Sequence, residues 1–232
     1  MNNIIFSHGN GFPASTYRCF TNDLNRRGFQ VDSIEKFGHD ARYPVTSNWP
    51  FLVQELADFA KVIHHETGEK PFLIGHSLGG LLSLMCASKH PHLTAGVVLL
   101  DSPVVGGWKA SALQLAKKTN WIGSVSPGRI SKSRRQHWPH IEAVIEHFQH
   151  KRAFVHWHPD ALRDYAEFGT VEENGERVLS FDREIETAIY NTLPHNLPSM
   201  LKRHPLKCAV SFIGGTHSRE MRVAGSELTD KV

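Results

Sequence analysis

Gly75-His76-Ser77-Leu78-Gly79 sits between an apolar run, Pro71–Gly75, and an apolar helical stretch, Leu78–His90. A serine at the tip of a tight strand-to-helix turn is forced outward. Bulk two residues before or after it would clash as strand and helix close up, so glycine is wanted at both places. The start of the following helix aims backbone N–H groups at developing negative charge. A serine hydroxyl is a weak nucleophile until a neighbouring base takes its proton, which a histidine oriented by a carboxylate does. Such a centre would attack a carbonyl carbon. The plainer alternative is a glycine-rich turn with a buried serine.

A second turn, Ser7-His8-Gly9-Asn10-Gly11-Phe12-Pro13, follows the apolar run Asn3–Ser7. It has two readings. Gly9, Gly11 and Ala14 fit G-x-G-x-x-A, a dinucleotide fingerprint, with Asp32 and Glu35 near the end of the next strand, and would make the chain an NAD(P)-binding oxidoreductase. Alternatively, it is an H-G-x-x loop that lends one backbone N–H to an oxyanion hole. Pro13 stands where a dinucleotide turn runs into its helix, and no tyrosine has lysine four residues on. Both features favour the oxyanion loop, as does the serine turn, which has no role in a nicotinamide enzyme.

Sixteen histidines invite further chemistry. His64-His65, His137/His140, His147/His150 and His156/His158 are close pairs. None comes with the third ligand and open position of a catalytic zinc, and there is no H-E-x-x-H. No metal and no cofactor is expected. His8 and His76 flank the glycines of the two turns and read as packing or bracing residues. His39, in Phe37-Gly38-His39-Asp40, reads as a loop residue.

These residues need a scaffold, and the first hundred positions supply one by alternation. Asn3–Ser7, Phe29–Ile34, Pro71–Gly75 and Gly96–Asp101 read as strands. Ala14–Arg27, with Tyr17, Phe20 and Leu24 on one face, and Pro50–Thr67, with Val53, Leu56, Phe59 and Ile63, read as helices ended by Gly28 and Gly68. The pattern predicts an α/β fold: a mostly parallel sheet flanked by helices. From about Gly106 to His204 there are helical stretches (Ala110–Lys118, Ile141–His150, Asp160–Phe168, Arg183–Tyr190) and no strong strand. Strand character returns at Cys208–Ile213, and Glu220–Val232 looks helical. The expected organisation is a core of residues 1–105 and 205–232 with a helical insertion at 106–204. Bases outnumber acids in the insertion between Gly106 and Arg152, a run that could be a cationic binding face and is read as solvated surface. Its tryptophans, Trp108, Trp121, Trp138 and Trp157, read as insertion core or as the lining of an apolar acyl pocket.

With 232 residues, 40% hydrophobic and 21% charged, the chain can bury a core without disulfides. The net charge of +3 is too small to argue for nucleic acid. No run is long enough for a membrane span, and the amino terminus has neither the basic nor the apolar region of a signal peptide. Three widely spaced cysteines, Cys19, Cys86 and Cys208, match no disulfide or zinc framework and fit a reducing, cytoplasmic compartment.

HGNGFP, FGHD, GHSLGG and VVLLDSP, in that order, resemble the α/β-hydrolase superfamily over Asn3–Pro103 and Cys208–Val232. The resemblance implies a capped serine esterase or lipase. Its substrate would be a small carboxylic ester or thioester. Ser77 would be the nucleophile, the N–H groups of Asn10 and Leu78 the oxyanion hole, and the 106–204 insertion the cap. The HGN start also looks like the haloalkane dehalogenase loop, but that chemistry, like epoxide hydrolysis, needs a carboxylate where Ser77 stands. For the acid of the triad, Ser218 occupies the usual position. Asp101, at the end of the strand after the nucleophile helix, is then favoured over Glu220, with a turn carboxylate as the plainer role for Asp101. The family's histidine is expected on a loop beyond Val232, with His217 as a substitute base. On that reading these 232 residues turn over weakly, or the chain is a ligand-binding relative that kept the fold.

Overall fold

A computed structural model of the chain describes residues 3–104 and 131–218. The expected helices at Ala110–Lys118 and Glu220–Val232, together with Glu220, Trp108 and Trp121, lie outside the described residues.

Among the described residues, five strands form one parallel sheet in the order β2-β1-β3-β4-β8: β1 (Asn3–Ser7), β2 (Gln30–Ser33), β3 (Phe72–His76), β4 (Gly96–Leu100) and β8 (Ala209–Ile213). Alternate side chains face opposite ways. Ile5, Leu73, Val97 and Leu99 join the main core on one face. Ile4, Phe6, Ile74, Val98 and Leu100 face the other, where Tyr17, Phe20 and Leu24 cover them. Every residue of β1 is buried, as a strand covered on both faces must be.

Two helices cover the first face. The helix α2 (Pro50–Thr67) begins with proline and ends at Gly68 in the left-handed conformation, φ 73°. Leu52, Val53, Leu56, Ala60 and Ile63 are its buried stripe. The helix α3 (Leu78–Lys89) is apolar almost all round and nearly every residue is buried. The other face carries a 3₁₀ turn, Ala14–Tyr17, running into α1 (Arg18–Arg26). These elements fall within a residue or so of the expected spans.

The stretch between β4 and β8 differs from expectation. It contains α4 (Ile141–Gln149), α5 (Pro159–Phe168) and α6 (Arg183–Asn191), as anticipated, but also α7 (Leu197–Arg203) and an antiparallel sheet. The sheet order is β5 (His137–Trp138), β7 (Glu176–Leu179), β6 (Thr170–Glu173). So the insertion is not purely helical. Its hairpin turns through Asn174 (φ 51°) and Gly175 (φ 80°), the Asn-Gly pair of a two-residue turn. The strands are short and carry glutamates on an exposed face, so apolar alternation does not reveal them. The segment packs in two places. Trp138, Phe148, Phe154 and Tyr165 form a separate core against Phe12, whereas Phe181, Ile189, Leu197 and Met200 join the main core. Trp138 is thus core, and Trp157 packs against the same cluster.

Candidate active site

The parallel registers bring four segments to one edge of the sheet. Ser7 pairs with Gly75, His76 with Leu100, and Leu100 with Ile213. The residues just past these strand ends are the loop starting at His8, Ser77, Asp101 and the loop Gly214–Ser218. They therefore leave the sheet together at its carboxyl edge, where open parallel sheets place ligands.

Ser77 is half-buried and sits between β3 and α3 with φ 52° and ψ −112°, a backbone conformation that L-residues avoid. Its N–H donates to the Leu100 carbonyl at 3.1 Å, and its carbonyl accepts from Ser102 Oγ at 2.9 Å. The tightness of the turn explains the glycines. A Cβ on Gly75 would lie 2.2 Å from the backbone of Gly79, and one on Gly79 would lie 2.0 Å from the Ser7 carbonyl oxygen. The two glycines relieve different contacts: Gly75 lets the strand meet the helix, and Gly79 lets the helix meet the neighbouring strand β1. The N–H groups of the first turn of α3, Leu78 among them, have no acceptor within the helix.

The facing loop closes with a hydrogen bond from Phe12 N–H to the Gly9 carbonyl, 3.1 Å, around Gly11 at φ 82°, a turn position that demands glycine. His8 is fully buried beneath it. Its Nδ1–H donates to the Gly9 carbonyl (2.8 Å) and its Nε2 accepts from Phe37 N–H (2.9 Å). Burial holds its pKa down to about 4, so it stays neutral and acts as a brace. His39 does similar work: its Nε2 accepts from Asp182 N–H at 3.1 Å, tying its loop to the start of α6.

Asn10 is buried. Its side-chain Nδ2 donates to the Glu186 carbonyl at 2.9 Å, while Oδ1 is buried without a partner. The Glu186 carboxylate lies against Gly11, where a Cβ would come within 2.7 Å of its Oε1. Arg134 Nη1 donates to that carboxylate at 2.7 Å and Nη2 to the Tyr165 hydroxyl at 2.5 Å. Burial pushes the Glu186 carboxyl up against the pull of Arg134. The Tyr165 ring is 5.2 Å from Phe12. The inserted segment thus grips the loop by its aromatic ring, its amide and its glycine. Within the run read as solvated, Arg134 is the exception, a largely covered side chain (17% exposed) held in an ion pair. Lys132, Arg135, Lys151 and Arg152 are exposed as that reading expects, and Lys109, Lys117, Lys118 and Arg129 lie outside the described residues. Nothing in sequence spacing links positions 134, 165 and 186. The same carboxylate fills the cradle at Gly11 where a pyrophosphate would need to approach, so the geometry disfavours the dinucleotide alternative.

Asp101 has φ 47°, and its N–H donates to the Ile213 carbonyl at 2.8 Å. Its carboxylate accepts from Gly215 N–H at 3.0 Å, gripping the loop that carries His217 and Ser218. His217 is exposed. Among the described residues, no histidine ring is hydrogen-bonded to the Ser77 hydroxyl. Among them, too, no cluster of three or more metal-ligating side chains occurs, and no helix is long and apolar enough to cross a membrane.

A family model described as serine aminopeptidase, S33, matches residues 2–162. The chain belongs to that family of α/β-hydrolases. It is 30% identical over 138 residues to a monoglyceride lipase from Rattus norvegicus, a match covering 56% of this chain and 46% of that protein. The match thus spans about half the length of that relative. Among solved structures, E-2-(acetamidomethylene)succinate hydrolase superposes with a TM-score of 0.63 at 19% identity, over 99% of this chain and 89% of that one. A structure described under carboxylesterases of the thaumarchaeon Nitrososphaera gargenis gives 0.61 at 18%, over 99% and 78%. At such identities these likenesses establish the fold alone, a mostly parallel sheet flanked by helices as the strand–helix alternation predicts.

Proposed function

We propose that this chain carries the reactive centre of a serine hydrolase that cleaves a small carboxylic ester or thioester through an acyl-enzyme on Ser77. The observation that carries this reading is the conformation of Ser77: a positive-φ serine at a glycine-lined corner, half-buried, beside a loop held to the same sheet edge. Such strain persists only where surrounding structure enforces it. In this reading a base at that edge takes the Ser77 Oγ proton as the oxygen attacks the carbonyl carbon, and the N–H groups of Asn10 and Leu78 receive the oxyanion. Its collapse breaks the bond to the alcohol or thiol, which leaves with that proton, and water then hydrolyses the acyl-enzyme and restores the Ser77 hydroxyl. Asp101 is the acid of the triad. It sits where the loop after β8 returns to the elbow and would orient a base presented at that edge. The 106–204 insertion acts as the cap and, through its grip on Asn10 and Phe12, couples substrate selection to the oxyanion loop. The monoglyceride lipase relative makes a monoacylglycerol the first substrate to try. Three free cysteines suit a reducing, cytoplasmic setting.

The test is a panel of a monoacylglycerol, a p-nitrophenyl ester and an acyl thioester, each with wild-type chain and Ser77→Ala. Weak hydrolysis of at least one, lost in the variant, is expected. Hydrolysis that survives Ser77→Ala unchanged would remove the assignment.

A further inference from the structure

Tyr17 enters the sequence reading only as part of an apolar helix face. Its ring does pack there, 4.7 Å from Phe6. Its hydroxyl does something else. It lies 3.0 Å from Gly9 N and 2.8 Å from His76 Nδ1. Gly9 belongs to the proposed oxyanion loop, and His76 immediately precedes the proposed nucleophile.

We propose that Tyr17 is a positioning residue whose hydroxyl clamps the oxyanion loop to the nucleophile turn, accepting from Gly9 N–H and donating to His76 Nδ1. The inference deepens the reading of Ser77 as nucleophile and rests on it.

Proton accounting fixes the direction of both bonds. A backbone N–H can only donate, so the tyrosine oxygen is its acceptor. The phenolic proton is then left, and a buried hydroxyl without an acceptor costs roughly 1–3 kcal/mol. His76 Nδ1 is the acceptor within reach, which places the ring proton of neutral His76 on Nε2. Burial pushes the Tyr17 phenol well above its usual range, so the donor keeps its proton at every working pH. Gly9 makes room for the junction. A Cβ there would stand 2.8 Å from His76 Nδ1 and 2.9 Å from the Tyr17 oxygen. The strands β1 and β3 are locked by their ladder only as far as Ser7 and Gly75. Past that point the two loops need another tie to keep their spacing, and this hydroxyl supplies one.

The test uses Tyr17→Phe, which keeps the ring on Phe6 and removes only the oxygen. Nitrogen-15 NMR of the histidine-labelled chain, with the His76 signals assigned by comparison with His76→Gln, reads the tautomer directly. The wild type is expected to show Nδ1 bare and Nε2 protonated. In Tyr17→Phe that preference is lost, and Gly9 N–H exchanges with solvent about tenfold faster or more. The rate of Ser77 modification by a fluorophosphonate should fall about threefold to tenfold, the worth of one hydrogen bond, with unchanged probe saturation and a thermal midpoint lowered by about 2–4 °C for each kcal/mol lost. Gly9→Ala, which forces the same groups apart, should reproduce the tautomer change. A protonated Nδ1 in the wild type, or an unchanged tautomer and an unchanged labelling rate in Tyr17→Phe, would overturn the clamp. If the wild type does not label at Ser77, the nucleophile reading fails while the tautomer still decides whether the clamp exists.

Discussion

Replacing Gly79 by alanine isolates the packing that creates the serine corner. The added Cβ would sit 2.0 Å from the Ser7 carbonyl oxygen, 2.4 Å from its carbon and 2.8 Å from the His8 carbonyl oxygen. All three are backbone atoms of β1 and its exit, so no flexible side chain can yield. Bringing the shortest contact from 2.0 Å back to ordinary packing at 3.4 Å requires α3 and β1 to part by about 1.4 Å, in an interior that is close-packed. Overpacking of this kind costs roughly 1–3 kcal/mol, and a backbone-only collision belongs at the top of that range, about 3 kcal/mol. At a urea slope of about 3 kcal/mol per molar, the unfolding midpoint falls by about 1 M. Gly28→Ala is the control. Unlike Gly79, which is helical, it has positive φ, 90°, but a Cβ there meets nothing within 4 Å, so only the left-handed backbone term of about 1 kcal/mol applies. Urea melts of the two variants beside wild type provide the comparison. Equal losses at both positions, or a Gly79→Ala loss under about 0.5 kcal/mol, would refute the steric account of the corner.

Two further predictions follow from groups buried around the loop. Arg134→Met leaves the Glu186 carboxylate uncompensated and should cost about 3–5 kcal/mol, whereas Arg134→Met with Glu186→Leu should recover most of it; denaturant melts check both. His8 has a folded pKa of about 4, below its unfolded value near 6.5. The stability from keeping it neutral is therefore complete above pH 6.5 and is lost as pH falls toward 4, about 3 kcal/mol in all. Melts at pH 7 and pH 4 should show that His8→Gln, lower than wild type at pH 7, loses less stability across this range.

What the sequence made legible follows physical locality. The strands of the main sheet and helices α1 to α3 are each specified by a run of neighbours: apolar blocks, a stripe at helical spacing, a terminal glycine. Pro50–Thr67 is a clear case, since proline, stripe and Gly68 all lie within nineteen positions. The serine corner was equally readable because its steric demand falls on Gly75 and Gly79 in the same pentapeptide. The small sheet of the insertion was hidden despite its Asn-Gly turn, because strands of two to four residues with glutamates outward give no alternation to detect. Helix α7 escaped for a similar reason: seven residues with a proline at the start hold only about two turns of pattern. The grip of Arg134, Tyr165 and Glu186 on the loop at Gly11 joins positions up to 175 residues apart. Composition around Arg134 suggests a solvated run, and tertiary packing overrides it at that one residue, while Lys132 and Arg135 beside it are exposed. Tyr17 was visible as a ring and not as a hydroxyl, since apolar periodicity records where a side chain points and not what its polar tip meets.

The account rests on Ser77 Oγ being presented as a nucleophile at the sheet edge. Peptide mass mapping after exposure to a fluorophosphonate tests this directly. The predicted result is a single phosphonylated peptide containing Ser77, absent from Ser77→Ala. An adduct on a different residue, or labelling of Ser77→Ala as strong as that of wild type, would contradict it.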